Sequence, residues 1–106
     1  MSTWRVELIP EAQEDLRALD NSQRTQVIKA IKKVSANPLP TNEGGLGKPL
    51  GSHSGNNLAG YLKIKLLKLG LRVVYRIVRG DNVMKIIVIS LHDDGTVYKM
   101  VRERIK

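Results

Sequence analysis

Three strand-like segments follow one another in the second half of the chain, separated only by short turns. Residues 61–67 alternate between apolar and polar, residues 72–78 are rich in β-branched side chains, and residues 83–91 are almost continuously apolar. Gly70 marks the first turn and residues 80–82 mark the second. Connections this short join antiparallel neighbours, so the sequence predicts an antiparallel sheet. We expect its most apolar segment, 83–91, near the centre.

The first part of the chain is typical of one strand followed by two helices. Residues 4–9 alternate, Pro10 is suited to the first position of a helix, and Asn21 or Ser22 can cap a second helix that ends before Pro38. The apolar stripes are Ala12, Leu16 and Leu19 in the first helix, and Val27, Ile31 and Val34 in the second. This pattern predicts a helical hairpin with one buried face.

Residues 39–60 differ in composition, because they hold six of the nine glycines and two prolines. We expect a long loop there. Residues 97–105 carry an apolar stripe typical of a short C-terminal helix. The predicted fold is therefore α+β: an N-terminal β-strand and helical hairpin packed on a mostly antiparallel sheet of about four strands. At 106 residues, we expect a single domain over 1–106.

Charge is unevenly distributed along the chain. The formal net charge is +8, yet residues 1–20 hold two basic and five acidic side chains. From His53 to Arg79 there is no acidic residue, so this segment predicts a surface that attracts polyanions. Cysteine is absent, which excludes disulfides and cysteine-based sites and fits the cytoplasm. No apolar run approaches the roughly 18–20 residues of a membrane span, so we expect no membrane contact.

Three cations are predicted to share one face of the sheet. Lys63 and Lys65 lie on the same side of a strand, about 7 Å apart, and Arg72 can join them across the turn. Such a group can hold a phosphate, and neighbouring cations favour the neutral form of a lysine, which can act as a base. The other interpretation is a solvated outer face, which is ordinary for lysine.

Several segments together resemble a known family, the RelE/ParE-type toxins of bacterial type II toxin–antitoxin systems. The strongest likeness is in residues 61–66 and 70–76. The other matching positions are residues 4–6, Ala12, Asp15, Leu16, residues 47–50, residues 97–99 and Arg104. The resemblance implies a RelE-like microbial ribonuclease fold. It also implies cleavage of mRNA on the ribosome without metal or other cofactor, leaving a 2′,3′-cyclic phosphate.

The same resemblance implies partners and residue roles. The partners would be a cognate antitoxin, bound in a hetero-oligomer that blocks the toxin, and the ribosome with its mRNA and 16S rRNA. Lys65 matches the general base, Lys63 and Arg72 match the groups that stabilise the phosphate, and Tyr98 matches the tyrosine that positions RNA. The residues expected to bind RNA are Lys63, Lys68, Arg72 and Arg76.

One segment departs from the family pattern. His92 stands six residues before Tyr98, where RelE-type toxins have an arginine proposed as general acid, and Asp93 and Asp94 follow it. Histidine can replace that arginine as a proton donor at neutral pH, or it can be an inert turn residue beside acids that repel phosphate. Two further functions therefore stay open: a non-catalytic ParE-like toxin that inhibits DNA gyrase, and a weakened or inactive RelE-fold protein.

Overall fold

The computed structural model describes residues 4–53, 56–91 and 94–105. Its strands are β1 Arg5–Leu8, β2 Lys48–His53, β3 Asn56–Leu66, β4 Leu71–Val78 and β5 Val83–Ser90, and its helices are α1 Pro10–Ala18, α2 Asn21–Ser35 and α3 Asp94–Arg104. The strands form one sheet in the order β1-β5-β4-β3-β2. β1 runs parallel to β5, and the other neighbouring pairs are antiparallel. The predicted α+β class and mostly antiparallel sheet are confirmed.

The helices cover both faces of the sheet. α1 and α2 pack on one face, and α3 packs on the other. The buried residues of the first face are Ala12, Leu19, Val27, Ile31, Val34, Leu62, Leu71, Val73, Tyr75, Met84, Ile86 and Ile89. Those of the second face are Leu50, Val74, Ile87, Val88, Val97, Tyr98 and Val101. Among the described residues, no helix is long and apolar enough to cross a membrane.

The predicted loop over 39–60 is wrong, because it contains β2 and the first half of β3. The sheet consequently has five strands where about four were expected. β2 is an edge strand, and its pairing with β3 shifts register between Pro49 and Gly51. Edge strands and bulges are the places where a sheet tolerates proline and glycine. For this reason β2 has a composition that is typical of a loop.

Smaller differences concern element ends. The second helix is capped by Asp20 and not by Asn21 or Ser22: the Asp20 carboxylate accepts from the Gln23 N–H at 2.7 Å, and the Gln23 side chain accepts from the Asp20 N–H at 3.2 Å. α3 starts three residues earlier than predicted. β5 is an inner strand as its apolar sequence indicates, but β4 takes the central place.

A buried tyrosine fixes the segment that leads into β2. The Tyr75 hydroxyl donates to the Pro38 carbonyl at 2.7 Å, and burial raises the pKa of this phenol. Gly47 passes directly over it, since a Cβ at this position would lie 2.1 Å from the Tyr75 oxygen. Only glycine allows this approach, so Tyr75 and Gly47 together determine where β2 begins.

A buried ion pair joins α1, β5 and α3. Arg104 donates to both carboxylate oxygens of Asp15, at 2.6 and 3.1 Å, and each of the two side chains is 16% exposed. β1 pairs with β5 only as far as Leu8, which leaves the edge of β5 beyond that point open. There the Ile87 carbonyl accepts from Arg104 at 2.9 Å and the Ile89 N–H donates to Asp15 at 3.0 Å. The side chains of the ion pair therefore form hydrogen bonds with the backbone groups of β5 that a longer β1 would otherwise pair with.

Replacement of Arg104 by alanine leaves the Asp15 carboxylate buried without its cation. We expect Arg104→Ala to lower the free energy of unfolding by about 3 kcal/mol, measured by denaturant unfolding. Arg17→Ala is the matched control, because its ion pair with Glu14 has side chains 66% and 69% exposed. That change should lower the free energy of unfolding by less than about 0.5 kcal/mol. Equal losses in the two variants would contradict the structural role of Arg104.

Candidate active site

Lys65 and Arg72 face each other across the β3–β4 hairpin. They are direct partners in the antiparallel register, and Arg72 is in turn opposite Ser90 of β5. The hairpin closes through residues 67–70, where Gly70 has a positive φ of 66° that glycine adopts without strain. Opposed residues of an antiparallel pair point to the same side of the sheet, so both cations lie on the face that α3 covers. The predicted juxtaposition of Lys65 and Arg72 is confirmed.

Lys63 joins the same face two residues before Lys65. Its ammonium donates to the Tyr98 hydroxyl at 2.9 Å and lies 5.6 Å from the centre of the tyrosine ring. Tyr98 is buried, with only 3% of its surface exposed, because α3 packs on Val74 and Val88. The structure therefore brings together four of the predicted catalytic residues, Lys63, Lys65, Arg72 and Tyr98, which we call the cationic site.

The structure adds a cation that the sequence interpretation placed in a loop. Lys48 of β2 is the direct partner of Lys63 and is exposed, on the side of Lys63 away from β4. It therefore extends the cationic site to the edge of the sheet. The alternation of residues 61–67 carries no information about Lys48, but its place in the family-like segment 47–50 was the available clue.

The arrangement suits the chemistry of a phosphodiester. The ammonium groups of β3 and the guanidinium group of β4 lie on one face of the sheet, so they can bond the oxygens of one phosphate at the same time. Lys63, Lys65 and Arg72 are each partly buried, so their charges are screened less than those of fully exposed side chains. A group of this kind can stabilise negative charge as it develops on phosphorus oxygens during attack.

The other predicted residues lie elsewhere. Lys68 is exposed in the β3–β4 turn and lines an open groove with Ser22 and Gln26 of α2, so the structure does not bring it to the cationic site. Arg76 is exposed on β4, four residues beyond Arg72 on the same strand. His92 lies outside the described residues, and so does its neighbour Asp93.

Comparison with known proteins shows the family of this chain. The family model for the ParE toxin of the type II toxin–antitoxin system parDE matches residues 6–94. Among curated proteins, none matches the sequence.

Solved structures that are similar to this chain include RelE toxins, alone and in complex with an antitoxin. The isolated E. coli RelE toxin is 23% identical with a TM-score of 0.68, over 97% of this chain and 99% of its own. The toxin–antitoxin complex RelBE2 of Mycobacterium tuberculosis gives 24% identity and a TM-score of 0.68, over 89% and 97% of the two chains. The RelE–RelB complex of Pyrococcus horikoshii gives 19% identity and a TM-score of 0.60, over 84% of this chain and 94% of that chain. These matches confirm the expected RelE-like fold.

The bond between Lys63 and Tyr98 should be measurable as a coupling energy. In a double-mutant cycle of Lys63→Met and Tyr98→Phe, we expect the two losses of unfolding free energy to be non-additive by about 1 kcal/mol. Tyr98→Phe keeps the buried ring and removes only the hydroxyl. Lys68→Met is the control partner, because Lys68 lies in the exposed turn, and its cycle with Tyr98→Phe should be additive. Additivity in the Lys63 cycle as well would contradict this contact.

Proposed function

The chain belongs to the family of ParE toxins of type II toxin–antitoxin systems, and from this premise we propose that it cleaves mRNA on the ribosome. The observation that carries the proposal is the cationic site, where Lys65 and Arg72 are direct partners and Lys63 is bonded to Tyr98. A toxin that acts only by binding does not require lysine, arginine and tyrosine side chains brought together on one face of the sheet. The RelE-like fold supports the same function.

The proposed reaction is an attack of the RNA on itself. Lys65 acts as the general base that takes the proton of the 2′-hydroxyl, and the 2′-oxygen forms a bond to the adjacent phosphorus. Lys63 and Arg72 donate to the non-bridging oxygens, on which negative charge accumulates. The bond from phosphorus to the 5′-oxygen then breaks, leaving a 2′,3′-cyclic phosphate and a 5′-hydroxyl. No metal ion takes part in this scheme.

Tyr98 positions the RNA in this proposal. Its hydroxyl accepts from Lys63, which directs the ammonium towards the sheet face, and its buried ring cannot move without disturbing α3. A group fixed in this way loses little entropy when the substrate binds. Tyr98 therefore helps to place the phosphate between Lys63 and Arg72.

The leaving 5′-oxygen requires a proton, and we assign its donor as His92. The assignment depends on the family pattern, in which His92 occupies the position of the arginine six residues before Tyr98. An imidazole titrates near neutral pH, so it can release a proton more readily than a guanidinium can. Lys68 and Arg76 keep their proposed role in binding RNA.

The proposed partners follow from the family and the structural neighbours. The similar structures from M. tuberculosis and P. horikoshii are complexes of a toxin with its antitoxin. We propose that a cognate antitoxin binds this chain in a hetero-oligomer and blocks the cationic site. The chain would act as one toxin domain, residues 1–106, in the cytoplasm, with mRNA and 16S rRNA as its ribosomal contacts.

Gyrase inhibition is the second candidate function. The observation in its favour is that the matching family model is that of ParE toxins. The acidic residues that follow His92 point the same way, because they reduce the positive charge close to the proposed acid. A non-catalytic toxin would not depend on Lys65 as a general base, which separates the two functions experimentally.

Cleavage of a defined mRNA on programmed ribosomes tests the proposal. The wild-type protein should cut the mRNA, and Lys65→Ala should slow the cut by a factor of about 10²–10⁴, the usual contribution of a general base. His92→Ala should slow it by a similar factor if histidine is the acid. Lys33→Ala is the control, because Lys33 is exposed on α2 across the sheet, and its rate should stay within about twofold of wild type. Intact mRNA at high excess of the wild-type protein would contradict the ribonuclease and would make gyrase inhibition the function to assay.

A further inference from the structure

A second positively charged position lies on the same sheet face, at the end opposite to the β3–β4 turn. It is a cavity of about 140 Å³ between the sheet and the end of α3. The polar and aromatic side chains that line it are Tyr61, Arg76, Lys85 and Arg104, and three isoleucines line the rest. The cavity is separate from the cationic site, since it shares no residue with it.

The strand register explains why these side chains meet. Arg76 of β4 is the direct partner of Tyr61 on β3 and also of Lys85 on β5. The three residues therefore form a row across the sheet, parallel to the row of Lys65, Arg72 and Ser90. Tyr61 is about 7 Å from Lys63 along β3, and Arg76 is about 13 Å from Arg72 along β4.

Two of the cations in the cavity have no acidic partner among the residues that the structure describes. In the described part of the chain, neither Arg76 nor Lys85 forms an ion pair with a carboxylate. Glu7 of β1 is the register partner of Lys85, but its carboxylate pairs with Arg5 at 3.0 Å. Arg104 is already paired with Asp15, so it contributes a wall of the cavity and little net charge.

We propose that this cavity binds a second phosphate of the RNA strand, further along than the one that is cut, with Tyr61 in contact with a nucleotide between the two. The proposal extends the ribonuclease function and depends on it for the identity of the ligand. Arg76 and Lys85 supply the charge for the phosphate, and the half-buried ring of Tyr61 supplies a surface for a base or a sugar. An aromatic ring between two cationic positions suits a nucleotide chain, whereas an acidic peptide would need only the cations.

The two phosphate positions also constrain the path of the RNA strand. An RNA strand held at Lys65 and Arg72 reaches Arg76 and Lys85 on the other side of the row that α3 covers through Val74 and Val88. Since these residues belong to adjacent strands of one hydrogen-bonded sheet, the strand register sets the spacing between the two phosphate positions. Contact at the second position therefore holds the cleaved phosphate in register with Lys65 and Arg72.

Binding of a 2′-O-methyl oligonucleotide, which cannot be cleaved, tests the proposal independently of activity. The probe has about eight nucleotides, and a 2′-O-methyl dinucleotide serves as the short probe. The double variant Arg76→Ala/Lys85→Ala should weaken binding of the long probe by about tenfold and lower the salt dependence of log Kd by about one unit, with little effect on the dinucleotide. Arg76→Lys/Lys85→Arg, which keeps both charges, should bind both probes like the wild type.

A matched control removes the same charge from another surface. Lys29→Ala/Lys33→Ala takes two exposed lysines from α2, on the far face of the sheet, and should change the affinity by less than about twofold. Equal effects of the two double variants would overturn the proposal and would indicate attraction by net charge alone. Displacement of the long probe by an oligoglutamate peptide of equal charge at equal concentration would also overturn it, and would assign the cavity to an acidic protein. If ribosome-bound mRNA stays uncut while the long probe loses affinity as expected, the second phosphate site stands and the ribonuclease function fails.

Discussion

The ion pair of Asp15 and Arg104 is the contact on which the arrangement of the site depends. It lies between residues 89 positions apart and bonds the edge of β5 where β1 ends. Without it, the Ile87 carbonyl and Ile89 N–H would lose their partners, and α3 would lose its only bidentate contact among the described residues. Because α3 carries Tyr98 to Lys63, a contact far from the cations helps to hold the Tyr98 hydroxyl at the Lys63 ammonium.

Strand register positions the other side chains of the two proposed phosphate positions. The tight turn at Gly70 sets Lys65 opposite Arg72, and the same ladder sets Tyr61 opposite Arg76. The register between β4 and β5 shifts beside Val74, and as a result the consecutive residues Ile87 and Val88 both pack towards α3. One face of the sheet thus carries an apolar surface on which α3 packs and, next to it, rows of cations. The proposed chemistry uses the cations of β3 and β4 at the end of the sheet closest to the Gly70 turn.

Local patterns in the sequence predict the parts of the fold that local interactions determine. Alternation over residues 61–67 and the glycine at position 70 were enough to place Lys63, Lys65 and Arg72 on one face. β2 could not be predicted, because its glycines and prolines are typical of loops and only pairing with β3 makes it a strand. Lys48 was missed for that reason. The link between Asp15 and Arg104 has no local pattern at all, and both residues entered the prediction only through the resemblance to RelE/ParE-type toxins.

The proposed reaction on this sheet face uses the RNA's own 2′-hydroxyl as the nucleophile. The most direct measurement uses two ribosome-bound mRNAs that differ only by a single 2′-deoxy nucleotide on the 5′ side of the mapped cut. We expect the deoxy substitution to abolish cleavage at that position, and the cut ribose mRNA to end in a 2′,3′-cyclic phosphate. Cleavage of both mRNAs at the same rate would contradict it, because water or another nucleophile would then attack the phosphorus.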